Sequence, residues 1–219
     1  MRGVRAIAWR IGVPLIAEAL AEGSDESVAR YYDSRVTDCS FLLDPGHYER
    51  PRVEWLLDAM SGGSALEIGC GDGGFTALLS RQVERVVALD VSQPSLRALE
   101  ARRLANVEPR AALVELFSTT ERFQWIVMSE VLEHLREPLG TVRRCLEWLA
   151  PGGRLLITTP NGRWESVEHL HEFTMETLCA LLARAGARDL RVSVIADGNG
   201  GDRWLGADIR RVSPANADV

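Results

Sequence analysis

The chain has no lysine. All 25 of its basic residues are arginines, so no mechanism that needs a Schiff-base amine or a lysine-assisted hydroxyl is open to it. Cysteine is scarce as well: Cys39, Cys70, Cys145 and Cys179 stand apart, with no C-x-x-C pair or histidine ladder beside them. That spacing excludes a zinc knuckle and a disulfide framework, and it points to a reducing, cytoplasmic setting. No uninterrupted apolar run reaches the length of about eighteen residues that a bilayer span requires. A net charge of −6 opposes any partner held mainly through phosphate neutralisation. The arginine-bearing run from Met1 to Leu20 superficially resembles a secretory leader, but Pro14 and Glu18 interrupt its apolar part; we read it as an amphipathic lid helix, with docking to a surface or membrane as the alternative.

What is present supports one α/β core: 219 residues, 46% of them hydrophobic. Strand-length apolar segments alternate with amphipathic ones. Strands are expected at Ser64 to Ile68, Arg85 to Leu89, Ala111 to Leu116, Trp125 to Ser129 and Gly152 to Pro160, the last entered through a Pro151-Gly152-Gly153 turn. Two closing strands, Leu190 to Ile195 and Ala207 to Val212, flank the glycine-rich Gly198 to Gly201. Helices are expected at Gly74 to Arg81, Pro94 to Leu104 behind the N-cap Ser92, Leu139 to Leu149, and Thr174 to Ala185 with its stop at Gly186. Such alternation predicts a mostly parallel, doubly wound sheet covered on both faces. Residues 1–60 read as a helical lid and substrate segment, and 61–219 as a ligand-binding catalytic domain, the two forming a single structural domain.

The first strand runs into "ALEIGCGDGGF", with glycines at 69, 71, 73 and 74. A glycine-rich turn at the carboxyl end of the first strand is where a doubly wound sheet keeps its ligand crevice. The glycines fit both the dinucleotide spacing and the G-x-G-x-G of S-adenosylmethionine binders, so neighbouring residues decide. Glu67 would attract the cationic amino-acid end of S-adenosylmethionine but repel a pyrophosphate. Asp90, nineteen positions past Gly71 at the end of the second strand, suits a ribose diol in either cofactor. Without lysine, the Tyr-x-x-x-Lys pair of short-chain dehydrogenases cannot exist.

The segments "LEIGCGDG", "VVALDVS", "IVMSEVLEHL", "LAPGGRLLITTPN" and "HEFTMETLCALLARAG", in this order over Ser64 to Ala187, resemble class I S-adenosylmethionine-dependent methyltransferases. The resemblance implies a Rossmann-like seven-stranded, mostly parallel sheet with an antiparallel last strand. It places Glu67, Gly69 and Gly71 at the methionine end, with Cys70 and Val91 also touching the cofactor, Asp90 at the ribose, Glu115 and Leu116 at the adenine, and Ser129 or Glu130 beside the reactive methyl. Glu115 and Leu116 depart from the family's usual acidic residue after a glycine.

"SEVLEHL" sets Glu130, Glu133 and His134 three and four apart, on one face of a helical turn leaving the fourth strand. "HLHEF" adds His169 and His171. This E-x-x-E-H followed by H-x-F looks like the metal site of small-RNA terminal ribose 2′-O-methyltransferases and is similar to ubiquinone-pathway O-methyltransferases. It implies Mg²⁺ on Glu130, Glu133, His134 and His171. The alternatives are that Glu133 and His134 merely orient the turn, or that a histidine is the general base. We assign Glu130, His134 and His171 as catalytic, and Tyr31, Tyr32, Asn161 and His169 to the substrate. Phe41, His47, Tyr48, Trp55, Trp164 and Trp204 are further pocket candidates. The expected function is methyl transfer to a small molecule, on oxygen, with no nucleic-acid partner and no membrane span. A metal-dependent RNA ribose methyltransferase and a non-catalytic cofactor binder are the competing classes.

Overall fold

The computed structural model describes residues 20–164 and 166–211. The expected N-terminal lid helix therefore lies outside the described residues, Leu20 excepted, as does Val212 of the last expected strand. Among the described residues no helix is long and apolar enough to cross a membrane.

Seven strands form one sheet: β1 Ser64–Ile68, β2 Arg85–Asp90, β3 Val107–Ala111, β4 Phe123–Ser129, β5 Leu149–Pro160, β6 Asp189–Ala196 and β7 Asp202–Arg210. Their order is β3-β2-β1-β4-β5-β7-β6. The first five are mutually parallel, and β7 runs antiparallel to both of its neighbours. The strand order reverses between β1 and β4, so the connections leaving those two strands part and open a crevice at their carboxyl ends. β1 is buried along Ala65–Ile68, as expected of a central strand covered on both faces. On one face Leu66, Ile68, Ile126, Met128 and Leu155 pack beneath two helices, α5 Pro138–Trp148 and α6 Met175–Ala185. On the other, Ala65, Val86, Ala88, Val127 and Leu156 meet α2 Arg50–Leu57, α3 Thr76–Leu79 and α4 Gln93–Ala101. A further helix, α1 Asp25–Asp33, starts at Ser24, whose side chain accepts from the Ser27 amide.

Local chemistry accounts for the well-read ends. The Ser92 hydroxyl accepts from the Ser95 amide at the start of α4. Thr174 and Thr177 form a reciprocal capping box on α6, which stops at the left-handed Gly186. Three strand readings are corrected. β3 occupies Val107–Ala111, ahead of the expected Ala111 to Leu116. It is a half-exposed edge strand fixed by pairing with β2 and carries no apolar run to announce itself. β5 begins at Leu149, and the Pro151-Gly152-Gly153 turn is a bulge within it, where the register against β4 shifts between Phe123 and Trp125. β7 begins at Asp202, earlier than expected, because the hairpin from β6 closes through Asp197–Gly201, where Asp197 accepts from the amides of Asn199 and Gly201.

Candidate active site

A cleft of about 280 Å³ opens where the strand order reverses. Gly69, Gly71, Asp90, Val91, Glu115, Glu130, His134 and Tyr32, all singled out from the sequence, line it. Gly71 has φ +53° and nothing within 4 Å of the place a side chain would occupy, so here bare backbone faces open space. Gly74 has another reason for being glycine: a Cβ there would sit 2.3 Å from the carbonyl oxygen of Cys39. The glycine cluster thus serves packing at one position and the cleft at another.

Glu67 is 3% exposed and is not itself a cleft-lining residue, although Ile68 and Gly69 just after it are. Its Oε2 has no hydrogen-bond partner, and burial lifts its pKa from the ordinary 4.5 to about 8. An unmatched buried acceptor at this point fits a cationic, hydrogen-bond-donating group such as an α-ammonium. Asp90 accepts from the Gly71 amide on one oxygen and from the Ser92 amide on the other, both at 2.8 Å. It therefore ties the glycine turn to the start of α4, and each oxygen keeps a lone pair for a diol. The remaining cofactor candidates divide. Cys70 is buried, and Ser129 stands behind the wall, accepting from the buried Arg52 guanidinium. Leu116 is 64% exposed and does not line the cleft; because β3 ends at Ala111, the wall is made by Ala112, Leu113 and Val114. Glu115 also lines it and accepts from the Arg136 amide.

The expected helical turn after β4 is a short 3₁₀ turn, Leu132–His134. It changes which donors meet. Glu133, His134 and His169 place one ligand atom each within 4.8 Å of one another, whereas Glu130 and His171 fall outside that group. Glu130 Oε2 accepts instead from Trp204 Nε1 at 3.0 Å, and His171 Nε2 donates to the Leu135 carbonyl at 2.9 Å. The four-residue set that the resemblance implied is not assembled; the donors that meet are Glu133, His134 and His169. Glu133 is 1% exposed, and its Oε1 lacks a partner. His134 Nδ1 donates to the Glu168 carbonyl at 3.0 Å, which leaves Nε2 as the lone-pair nitrogen. Burial holds both imidazoles neutral: His134 is lowered, and His169 falls to about 4 with His134 beside it. Burial raises Glu133 and Glu130, the former further because of Glu130; Arg52 pulls both the other way.

Sequence reasoning missed residues 35–39 and Glu168. Arg35, Thr37, Cys39, Glu168 and Arg136 all line the cleft. Tyr31, read as a substrate contact, donates to Glu168 at 2.7 Å. Asn161 donates to the Asp202 carbonyl and stands away from the cleft. Of the further aromatic candidates, Phe41, His47, Tyr48 and Trp204 pack one against the next as a chain.

A model of the methyltransferase domain matches residues 46–192. The ubiquinone biosynthesis O-methyltransferase of Bradyrhizobium diazoefficiens is 32% identical over 113 residues, covering 50% of this chain and 45% of that protein. Nodulation protein S of the same organism is 30% identical over 128 residues, 54% of this chain and 61% of that protein. The chain thus spans about half the length of these relatives. Among solved structures, the N-methyltransferase NodS from Bradyrhizobium japonicum WM9 in complex with S-adenosylhomocysteine superposes with a TM-score of 0.68 at 24% identity, covering 84% of this chain and 99% of that one. The 1,6-didemethyltoxoflavin-N1-methyltransferase of Burkholderia thailandensis, with 1,6-didemethyltoxoflavin and S-adenosylhomocysteine bound, gives 0.70 at 22% identity, covering 85% and 88%.

Proposed function

The chain belongs to the methyltransferase-domain family, and from that premise we propose that it transfers the methyl group of S-adenosylmethionine to a small-molecule acceptor, an oxygen in the first instance. The observation that carries the reading is an unmatched buried Glu67 oxygen two residues before the glycine turn, together with Asp90, which accepts from the amide of the bare Gly71. Glu67 with Gly69 and Gly71 would hold the methionine end, Asp90 the ribose, and Val91 with the Ala112–Glu115 wall the adenine. The bound cofactor supplies an electrophilic methyl on a sulfonium that leaves as a neutral thioether, so little bond chemistry is asked of the protein. The protein aligns the acceptor and takes its proton. His134 suits that second role because it lines the cleft, is held neutral, and has an Nε2 free of the carbonyl bond that occupies Nδ1.

Glu133, His134 and His169 also fit a divalent cation, which would lower the pKa of an acceptor hydroxyl. With His134 on the metal, its Nε2 would no longer be free to act as base; the cation would lower the pKa of the acceptor hydroxyl so that its proton could pass to water. Calorimetry separates these readings. S-adenosylmethionine is expected to bind and NAD to bind far more weakly; preference for the dinucleotide overturns the assignment. Magnesium binding that His169→Ala abolishes supports the cation, and absence of any magnesium heat, with transfer unaffected by chelator, removes it.

A further inference from the structure

Glu130 is one of two described non-glycine residues at positive φ, at +56°, a conformation that costs an ordinary side chain about 1 kcal/mol or more. Glu130 lines the cleft. One carboxylate oxygen is held by the Trp204 indole N–H at 3.0 Å, and the other, Oε1, is buried with no partner. Trp204 is itself immobilised. It is 2% exposed. It is stacked on Tyr48 at 6.2 Å and 19°. Arg52 lies 5.5 Å from its ring centroid. Arg52 in turn donates to Ser129 and Glu49. The packed indole fixes one oxygen of Glu130, and the other stays buried in the cleft wall without a partner in the protein. The charged groups around Glu130 are Arg52 from α2, Glu49 at the start of that helix, and Glu133 from its own segment. Arg52, the cation among these, is already shared with Glu49 and the indole face, so a cationic ligand is the partner this wall lacks.

Resting on the S-adenosylmethionine reading above, we propose that Trp204 is a specificity-determining positioning residue: its N–H holds Glu130 so that the free carboxylate oxygen favours the positively charged sulfonium over the neutral thioether product. Methyl transfer removes the cofactor's charge, and the wall then ceases to hold it, which favours exchange of spent product for fresh cofactor.

The test needs no acceptor. Affinities of the intact chain for S-adenosylmethionine and S-adenosylhomocysteine are measured by calorimetry at pH 8. Glu130→Gln, which keeps shape and removes charge, is expected to lower the ratio of the first affinity to the second by about tenfold, near 1.4 kcal/mol. Trp204→Phe, which keeps an aromatic ring and removes the N–H, is expected to lower it by a smaller factor in the same direction. The double variant is expected to match Glu130→Gln alone. A ratio that Trp204→Phe leaves unmoved, or a loss that adds in full to that of Glu130→Gln, overturns the proposal while leaving the cofactor assignment standing. A wild-type chain that binds neither compound overturns both. Should Trp204→Phe fail to fold, Glu130→Gln alone decides, because an unmoved ratio there removes the charge that Trp204 would position.

Discussion

Glu67 carries opposed demands. Its carboxyl is buried without a protein partner for one oxygen, and its pKa rises to about 8. A folded-state pKa above the unfolded one means that the folded state holds the proton more tightly. The associated stabilisation is therefore complete at acid pH and is lost as pH climbs from about 4.5 to about 8. Glu67→Gln removes this dependence, so the variant is expected to melt at higher temperature than wild type at pH 8 and to bind S-adenosylmethionine at least about tenfold more weakly. Equal melting temperatures at pH 8, with unchanged affinity, would show that the carboxylate neither strains the fold nor serves the ligand. The residue type and position were legible from its place before the glycines. Its burial was not, since that depends on flanking strands β2 and β4.

At the level of elements, α1 closes one side of the cleft through polar ties to three separate segments. Tyr31 and Arg35 both donate to Glu168, at 2.7 and 2.6 Å. Arg136 donates to Asp25 at 2.6 Å, and the Gln93 amide to Asp33 at 2.9 Å. Part-exposed pairs of this sort contribute about 0.2–1 kcal/mol each and weaken with salt. Ties this weak would let α1 open during turnover. Glu168→Ala, which frees two of these ties together, is expected to speed S-adenosylhomocysteine release severalfold in stopped-flow measurements while changing thermal stability little. An unchanged release rate would mean that α1 does not gate the cleft. None of these ties was legible in the sequence. Glu168 is 137 and 133 positions from its two donors, and no local pattern records a contact across such a separation. The cap Ser92 was legible because its partner lies three residues away.

For the whole molecule, 31 acidic residues against 25 arginines give a net charge of −6, and Asp90, Glu115, Glu130 and Glu168 all line the cleft. That balance repels a phosphate backbone. A short single-stranded RNA is expected to bind no more tightly than a neutral sugar, with no fall in affinity as salt rises. A steep salt dependence would restore the ribose-methylating alternative. Order along the chain sufficed to establish the doubly wound sheet, the glycine turn at the end of β1 and the acidic residue closing β2, while the antiparallel β7 was implied by the family resemblance. Apolar periodicity, caps and turns are written within a few residues of where they act. The tertiary structure alone decided that His169 and not His171 joins Glu133 and His134, that Trp204 from β7 holds Glu130, and that Glu168 receives α1. Each of these depends on how distant strands and loops converge, and a carboxylate or an imidazole in the sequence does not say which buried neighbour will satisfy it.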